Sequence, residues 1–245
     1  MSLRDHPFAV RAHFERSTVL TYALPATTLA PTLPPCLSLD VYDCPSGPLG
    51  FVAVALVRTR ALRPAVLPAA LGRDFFLIGY RIFVRYTDAR GKRLRGLYIL
   101  RSQTDSAAMT RLGSLFTHYA YEHVDIAETL TPDTYAVRSR AGGLHVAFDL
   151  ERGDLPPDSP FPDWRAARRF AGPLPHTFTY DAARGRVVIV RGLRQNWRPV
   201  PTGVRYAEVG LWRAWGYNEA RLASAFRVED VPYAWERGYT ETWPR

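Results

Sequence analysis

The chain has 245 residues, 47% hydrophobic and 22% charged, a balance that buries a core and excludes a disordered polypeptide. Its formal charge of +9 rests on 32 basic side chains, all of them arginine except Lys92. They stand in small groups (Arg58, Arg60, Arg63; Arg90, Arg93, Arg95; Arg165, Arg168, Arg169) with no long basic block, which argues against nucleic acid as the partner despite the charge.

Taken in chain order, the first seven residues lack the uninterrupted apolar stretch of a signal peptide, so a cytoplasmic protein is expected. Residues 16–24 and 37–42 read as strands joined by a proline-bearing segment. Cys36 and Cys44 fit neither a zinc knuckle nor a redox pair, and two reduced thiols are expected, with a disulfide as the alternative. Residues 51–57 have no polar interruption and predict a central strand buried on both faces. That run is far shorter than the roughly 20 residues a membrane helix needs, so no span is expected.

Residues 75–103 predict a long hairpin turned at 88–92. A regular pleat puts Arg81, Phe83 and Arg85 on one face and Tyr80, Ile82, Val84 and Tyr86 on the other. The two arginines on one face are either a solvated outer surface or an anion clamp in a cavity. Lys92 falls in the turn, where its amine should be solvated and protonated. A Schiff base needs a neutral amine, so this lysine is poorly placed for imine chemistry.

Helical spacing over 106–119, with Ser106 as N-cap, predicts one helix. Alternating runs at 122–130, 134–140 and 144–150, with a tight turn at 141–143, predict an antiparallel meander. The proline-rich stretch 151–162 predicts an exposed loop within a single domain covering 1–245. Asp163 is positioned to cap a short helix over 164–170, and a second hairpin pairs 177–180 with 186–190 about a turn at 181–185. The stretch 206–243 is rich in Trp and Tyr, a density that closes a core. The fold class expected is mainly β (α+β).

Three stretches carry a resemblance: 33–40 leading into 50–54, then Tyr80-Arg81-Ile82-Phe83-Val84, then 111–120 followed by Asp125. Together they resemble the YqjF-like proteins of the acetoacetate-decarboxylase-like superfamily. The resemblance implies an antiparallel β-barrel or cone with a ligand-sized interior, one or two flanking helices, and often a homo-oligomer. It also implies that His118 or Tyr119 stands where the decarboxylases carry their reactive lysine. A second departure is the stretch 75–79 before Arg81, which holds no carboxylate where the family pattern places one. Acetoacetate decarboxylation is therefore not expected, although the scaffold survives such losses.

The densest titratable cluster is His118, Tyr119, Tyr121, Glu122, His123 and Asp125. His118 with Glu122 or Asp125 is the candidate acid–base pair for a lyase- or hydrolase-type enzyme. His118 and His123, five residues apart, support no shared metal, and no cofactor fingerprint is present. Arg81 is the leading ligand contact, since its planar guanidinium holds a carboxylate through two parallel hydrogen bonds. Phe83, Arg85, Tyr119 and Tyr121 complete the expected ligand-binding set. A small-molecule-binding barrel is the leading reading, an acid–base enzyme the second and a basic nucleic-acid module the third.

Overall fold

A computed structural model describes residues 2–151, 153–172 and 174–243, so Arg152 of the expected loop and Pro173 lie outside the described residues. The first half builds long strands: β1 (Val10–Pro25), the short β2 (Ser38–Leu39) and β3 (Tyr42–Cys44), then β4 (Gly47–Pro64), β5 (Arg73–Thr87) and β6 (Arg93–Thr104). Helix α1 (Ala107–Phe116) follows, then β7 (Tyr121–His123) and the short strands β8 (Ala127–Leu130), β9 (Thr134–Ser139) and β10 (Leu144–Asp149). The second half holds α2 (Trp164–Ala171), β11 (His176–Asp181), β12 (Arg186–Arg194), β13 (Val200–Pro201), β14 (Gly203–Val209), β15 (Arg221–Trp235) and β16 (Tyr239–Thr242).

Strands β15, β1, β4, β5, β6, β11 and β12 pair in turn, and β12 returns to β15 through Gly192↔Trp235, Leu193↔Ala234 and Arg194↔Tyr233. The ring is antiparallel apart from a parallel seam where His176–Phe178 meets Gly96–Tyr98. A second sheet, in the order β14-β10-β9-β8, covers its outer side. The fold is mainly β, as expected.

Period-two alternation divides β4 and β5 between two environments. Val52, Val54, Leu56, Ile78, Tyr80, Ile82 and Val84 face outward and form one core with Tyr135, Val137, Val146 and Phe148 of the second sheet. Each such large side chain contributes about 1.5–3 kcal/mol on burial. The inward residues of the same strands include Ala53, Ala55 and Gly79. Ala53, Ala55 and Gly79 thin the inner face of the wall, and the hollow opens beside them.

The ends of the elements follow from local chemistry. Ser106 caps α1 by accepting from the Met109 amide at 3.2 Å, and Asp163 caps α2 by accepting from Ala166 at 2.7 Å. The first helix stops at Phe116 instead of running to 119, because Thr117 turns extended and its hydroxyl donates to the Gly113 carbonyl at 2.7 Å. The run expected at 122–130 divides in two. Asp125 accepts from the amides of Arg140 and Ala141 at 3.0 and 2.8 Å, tying down the crossing from ring to second sheet. The expected strand at 37–42 survives only as β2 and β3. Cys36 and Cys44 are both free thiols. Among the described residues no helix is long and apolar enough to cross a membrane.

Candidate functional site

The ring encloses a cavity of about 310 Å³, the size of a small-ligand pocket. Its walls are apolar, with Val19, Val57, Leu77, Phe83, Phe226 and Trp235 among them. Set into these walls are His6, Arg81, Tyr119, Tyr121, Arg194 and Tyr233. No aspartate, glutamate or lysine stands among its described lining residues. Exposed Arg73 and Leu112 mark where the cavity meets solvent.

Arg81 points inward from β5 and folds back over Gly79, whose missing side chain makes room for it. Its Nε is buried and has no hydrogen-bond partner. Burial pulls the guanidinium below the usual arginine range; Tyr233, Tyr121 and Tyr119 oppose that shift and Arg194 adds to it. A cation taken out of water ordinarily has a carboxylate beside it. Here phenols and a second cation surround it instead.

Glycine seats two of the phenols as well. The Tyr121 ring lies against Gly113 of α1, and the Tyr233 hydroxyl lies against Gly192 of β12, so a β-carbon at either glycine would overlap the ring above it. Burial raises the Tyr121 hydroxyl to about 12 against the opposing pull of Arg81, and burial likewise raises Tyr119. Tyr119 and Tyr121 therefore keep their protons at neutral pH and can donate. Arg194 is fixed differently: it donates to the Leu174 carbonyl at 2.8 Å, and its guanidinium lies over the Trp197 and Tyr233 rings at 5.0 and 5.4 Å.

Of the residues singled out by sequence, Arg81, Phe83, Tyr119 and Tyr121 meet in this cavity. Arg85 lies outside the lining, although it shares a strand face with Arg81. Its Nε donates to Asp40 Oδ1 at 2.6 Å, while Arg95 Nε donates to the other oxygen at 2.6 Å. His118 and Glu122 do not meet. His118 Nε2 lies 3.5 Å from Asp5 Oδ1, and Glu122 accepts from Gln103 at 3.1 Å and Arg101 at 3.4 Å. Their neighbours Thr117, Tyr119 and Tyr121 face inward, so alternation carries these two out of the cavity. His123 contacts the Asp105 carbonyl at 3.2 Å. Lys92 is exposed in the hairpin turn, its amide donating to Asp88 at 2.8 Å.

Tyr233, Arg194 and His6 all line the cavity and escaped the sequence reading. Tyr233 lies on β15, which no alternation signal announces. His6 precedes the first strand, where nothing in the sequence distinguishes it from a solvated terminus. Among the described residues no group of three His, Cys, Asp or Glu is arranged to hold a metal.

Residues 11–229 match the pattern of the family described as DUF2071, uncharacterized conserved protein (COG2071). No curated protein sequence matches the chain. Among solved structures it is similar to acetoacetate decarboxylase from Legionella pneumophila, at TM-score 0.61 and 13% identity over 95% of this chain and 87% of that one. An acetoacetate decarboxylase-like enzyme from Sphingomonas wittichii gives TM-score 0.58 and 14% identity over 99% and 93% of the two chains. The enduracididine biosynthesis enzyme MppR with HEPES bound gives 0.52 and 11% over 96% and 88%. At these identities the likeness is one of fold.

Proposed function

The chain belongs to the DUF2071 family, and from that premise we propose that it is a small-molecule-binding barrel whose cavity takes an apolar carboxylate anchored on Arg81. The observation that carries this reading is the inward-facing guanidinium with a buried, unpartnered Nε and no acidic neighbour in the lining. A carboxylate supplied from outside restores the missing counter-ion and accepts the unused N–H, and the phenols of Tyr119 and Tyr121 add donors to it. Phe83 and the surrounding apolar wall take the rest of the ligand. Imine formation of the kind known for the decarboxylases is not part of this reading, because Lys92 is exposed in a turn and absent from the lining.

An acid–base enzyme built on His118 and Glu122 is not favoured, since these side chains lie outside the cavity and on separate partners. Titration calorimetry with octanoate tests the proposal. Saturable binding to the unaltered protein, weakened at least about tenfold by Arg81→Gln, is the expected result. Equal binding to both proteins overturns the role of Arg81, and absence of binding by octanoate and shorter or branched carboxylates overturns the reading as a whole.

A further inference from the structure

Arg81 is not the only polar side chain left open in the cavity. His6 lines it with 8% of its surface exposed, and neither ring nitrogen has a hydrogen-bond partner. Its ring centroid stands 5.4 Å from that of Tyr119, one of the phenols around Arg81.

The histidine is held there by construction. Its backbone takes φ 54°, the left-handed region that a branched or bulky side chain seldom occupies without a surrounding structure that enforces it. That enforcement comes from both sides: the His6 amide donates to the Phe116 carbonyl at 3.2 Å, and the Gly238 amide donates to the His6 carbonyl at 2.9 Å. Gly238 approaches so closely that a β-carbon there would fall 2.9 Å from His6 Cβ. Asp5, beside it, is fully buried and lies 3.5 Å from both Arg186 and His118. A strap fastened at both ends therefore presents one imidazole to the hollow.

Its chemistry differs from that of the other polar lining groups. The arginines only donate, and the buried phenols keep their protons. Burial, reinforced by neighbouring His118, keeps the His6 ring neutral, so one nitrogen bears an unshared pair. With no carboxylate in the lining, this is the strongest acceptor available to a guest.

We propose that His6 is a second recognition residue, accepting a hydrogen bond from the ligand, and that the ligand is an apolar hydroxycarboxylic acid whose carboxylate sits on Arg81 and whose hydroxyl reaches His6. This rests on the carboxylate-binding reading above. A site built to pair a hydroxyl discriminates strongly against the analogue without it, because its own polar group is then left unmatched.

Calorimetry with octanoate, its 2-, 3- and 4-hydroxy derivatives and the matching oxo acids provides the test. At least one hydroxy acid should bind about tenfold or more tighter than octanoate, and ahead of its oxo counterpart, which cannot donate. His6→Gly tolerates the left-handed backbone, leaves no acceptor side chain and should abolish that preference. In the unaltered protein, the 15N resonances of the His6 ring should move with the preferred hydroxy acid and stay in place with octanoate. Octanoate binding with no hydroxy preference, oxo acids ranking first, or a preference that survives His6→Gly each overturns the role of His6. Failure of every carboxylate to bind overturns the underlying reading, a different and recognisable result.

Discussion

The guanidinium of Arg81 lies so close over Gly79 that a β-carbon on the glycine would stand 2.9 Å from its terminal nitrogen and 3.0 Å from Nε. The pair is a seat and its occupant, two residues apart on one strand face. Gly79→Ala should therefore push the cation out of place while leaving the strand intact. Alanine also lowers the conformational freedom of the unfolded chain, worth about 0.4–1 kcal/mol in favour of folding. The expected outcome is thermal stability equal to or above that of the parent with carboxylate binding weakened at least about tenfold. Lost stability with unchanged binding would contradict it.

Replacing Arg81 by methionine removes a buried cation that lacks a counter-ion and fills the space with an apolar chain of similar length. Buried ionic groups replaced in this way are often neutral or stabilising by about 1–4 kcal/mol. Because Arg81 borders a cavity that admits water, a gain of about 1 kcal/mol is expected, read as a higher urea midpoint at unchanged m-value. Destabilisation would show that the cation supports the fold.

Asp40 makes the opposite case. Its carboxylate is fully buried between Arg85 and Arg95, and Arg95 also donates to the Phe170 carbonyl at 2.8 Å, joining the ring to α2. Asp40→Asn keeps the shape and removes the charge. Both arginines can turn to solvent, so the cost should be about 2 kcal/mol, below that of breaking a fully buried pair. Chemical denaturation measures it, and limited proteolysis around 163–172 should show earlier cleavage. A variant as stable as the parent would mean that the two arginines are indifferent to their shared partner.

His6 predicts a pH dependence with a definite sign. Burial lowers its imidazole from 6.5 to about 4, so the unfolded chain binds this proton more readily than the folded one. Stability linked to the group is complete above pH 6.5 and falls as the pH drops to about 4, by about 3 kcal/mol in order of magnitude. Between pH 7 and pH 4.5 the urea midpoint of the parent protein should fall further than that of His6→Asn, as the parent alone loses this contribution. Parallel curves across that range would show that His6 titrates as in water.

The parts of the fold written in short-range pattern were legible from sequence. The run 51–57 foretold a doubly buried strand, and its valine–alanine alternation carried a further signal: the alanines mark the hollow side. The caps Ser106 and Asp163 announced both longer helices. The β12–β15 junction has no such signature, because it joins segments about 40 residues apart through three pairs. Strand β15 also carries Pro232 and a left-handed Asp230 at φ 55°, which break its pattern into what reads as aromatic-rich coil. Placement inside the cavity followed strand parity for Arg81 and Phe83. Parity alone failed for Arg85, where Asp40, distant in sequence, captures the guanidinium first.

Strands β1, β4 and β5 belong at once to the close-packed core and to the cavity wall. A tightly packed interior resists compression, so an oversized guest finds no give on that side. The chamber's width is thus set by outward-facing residues that the guest never touches.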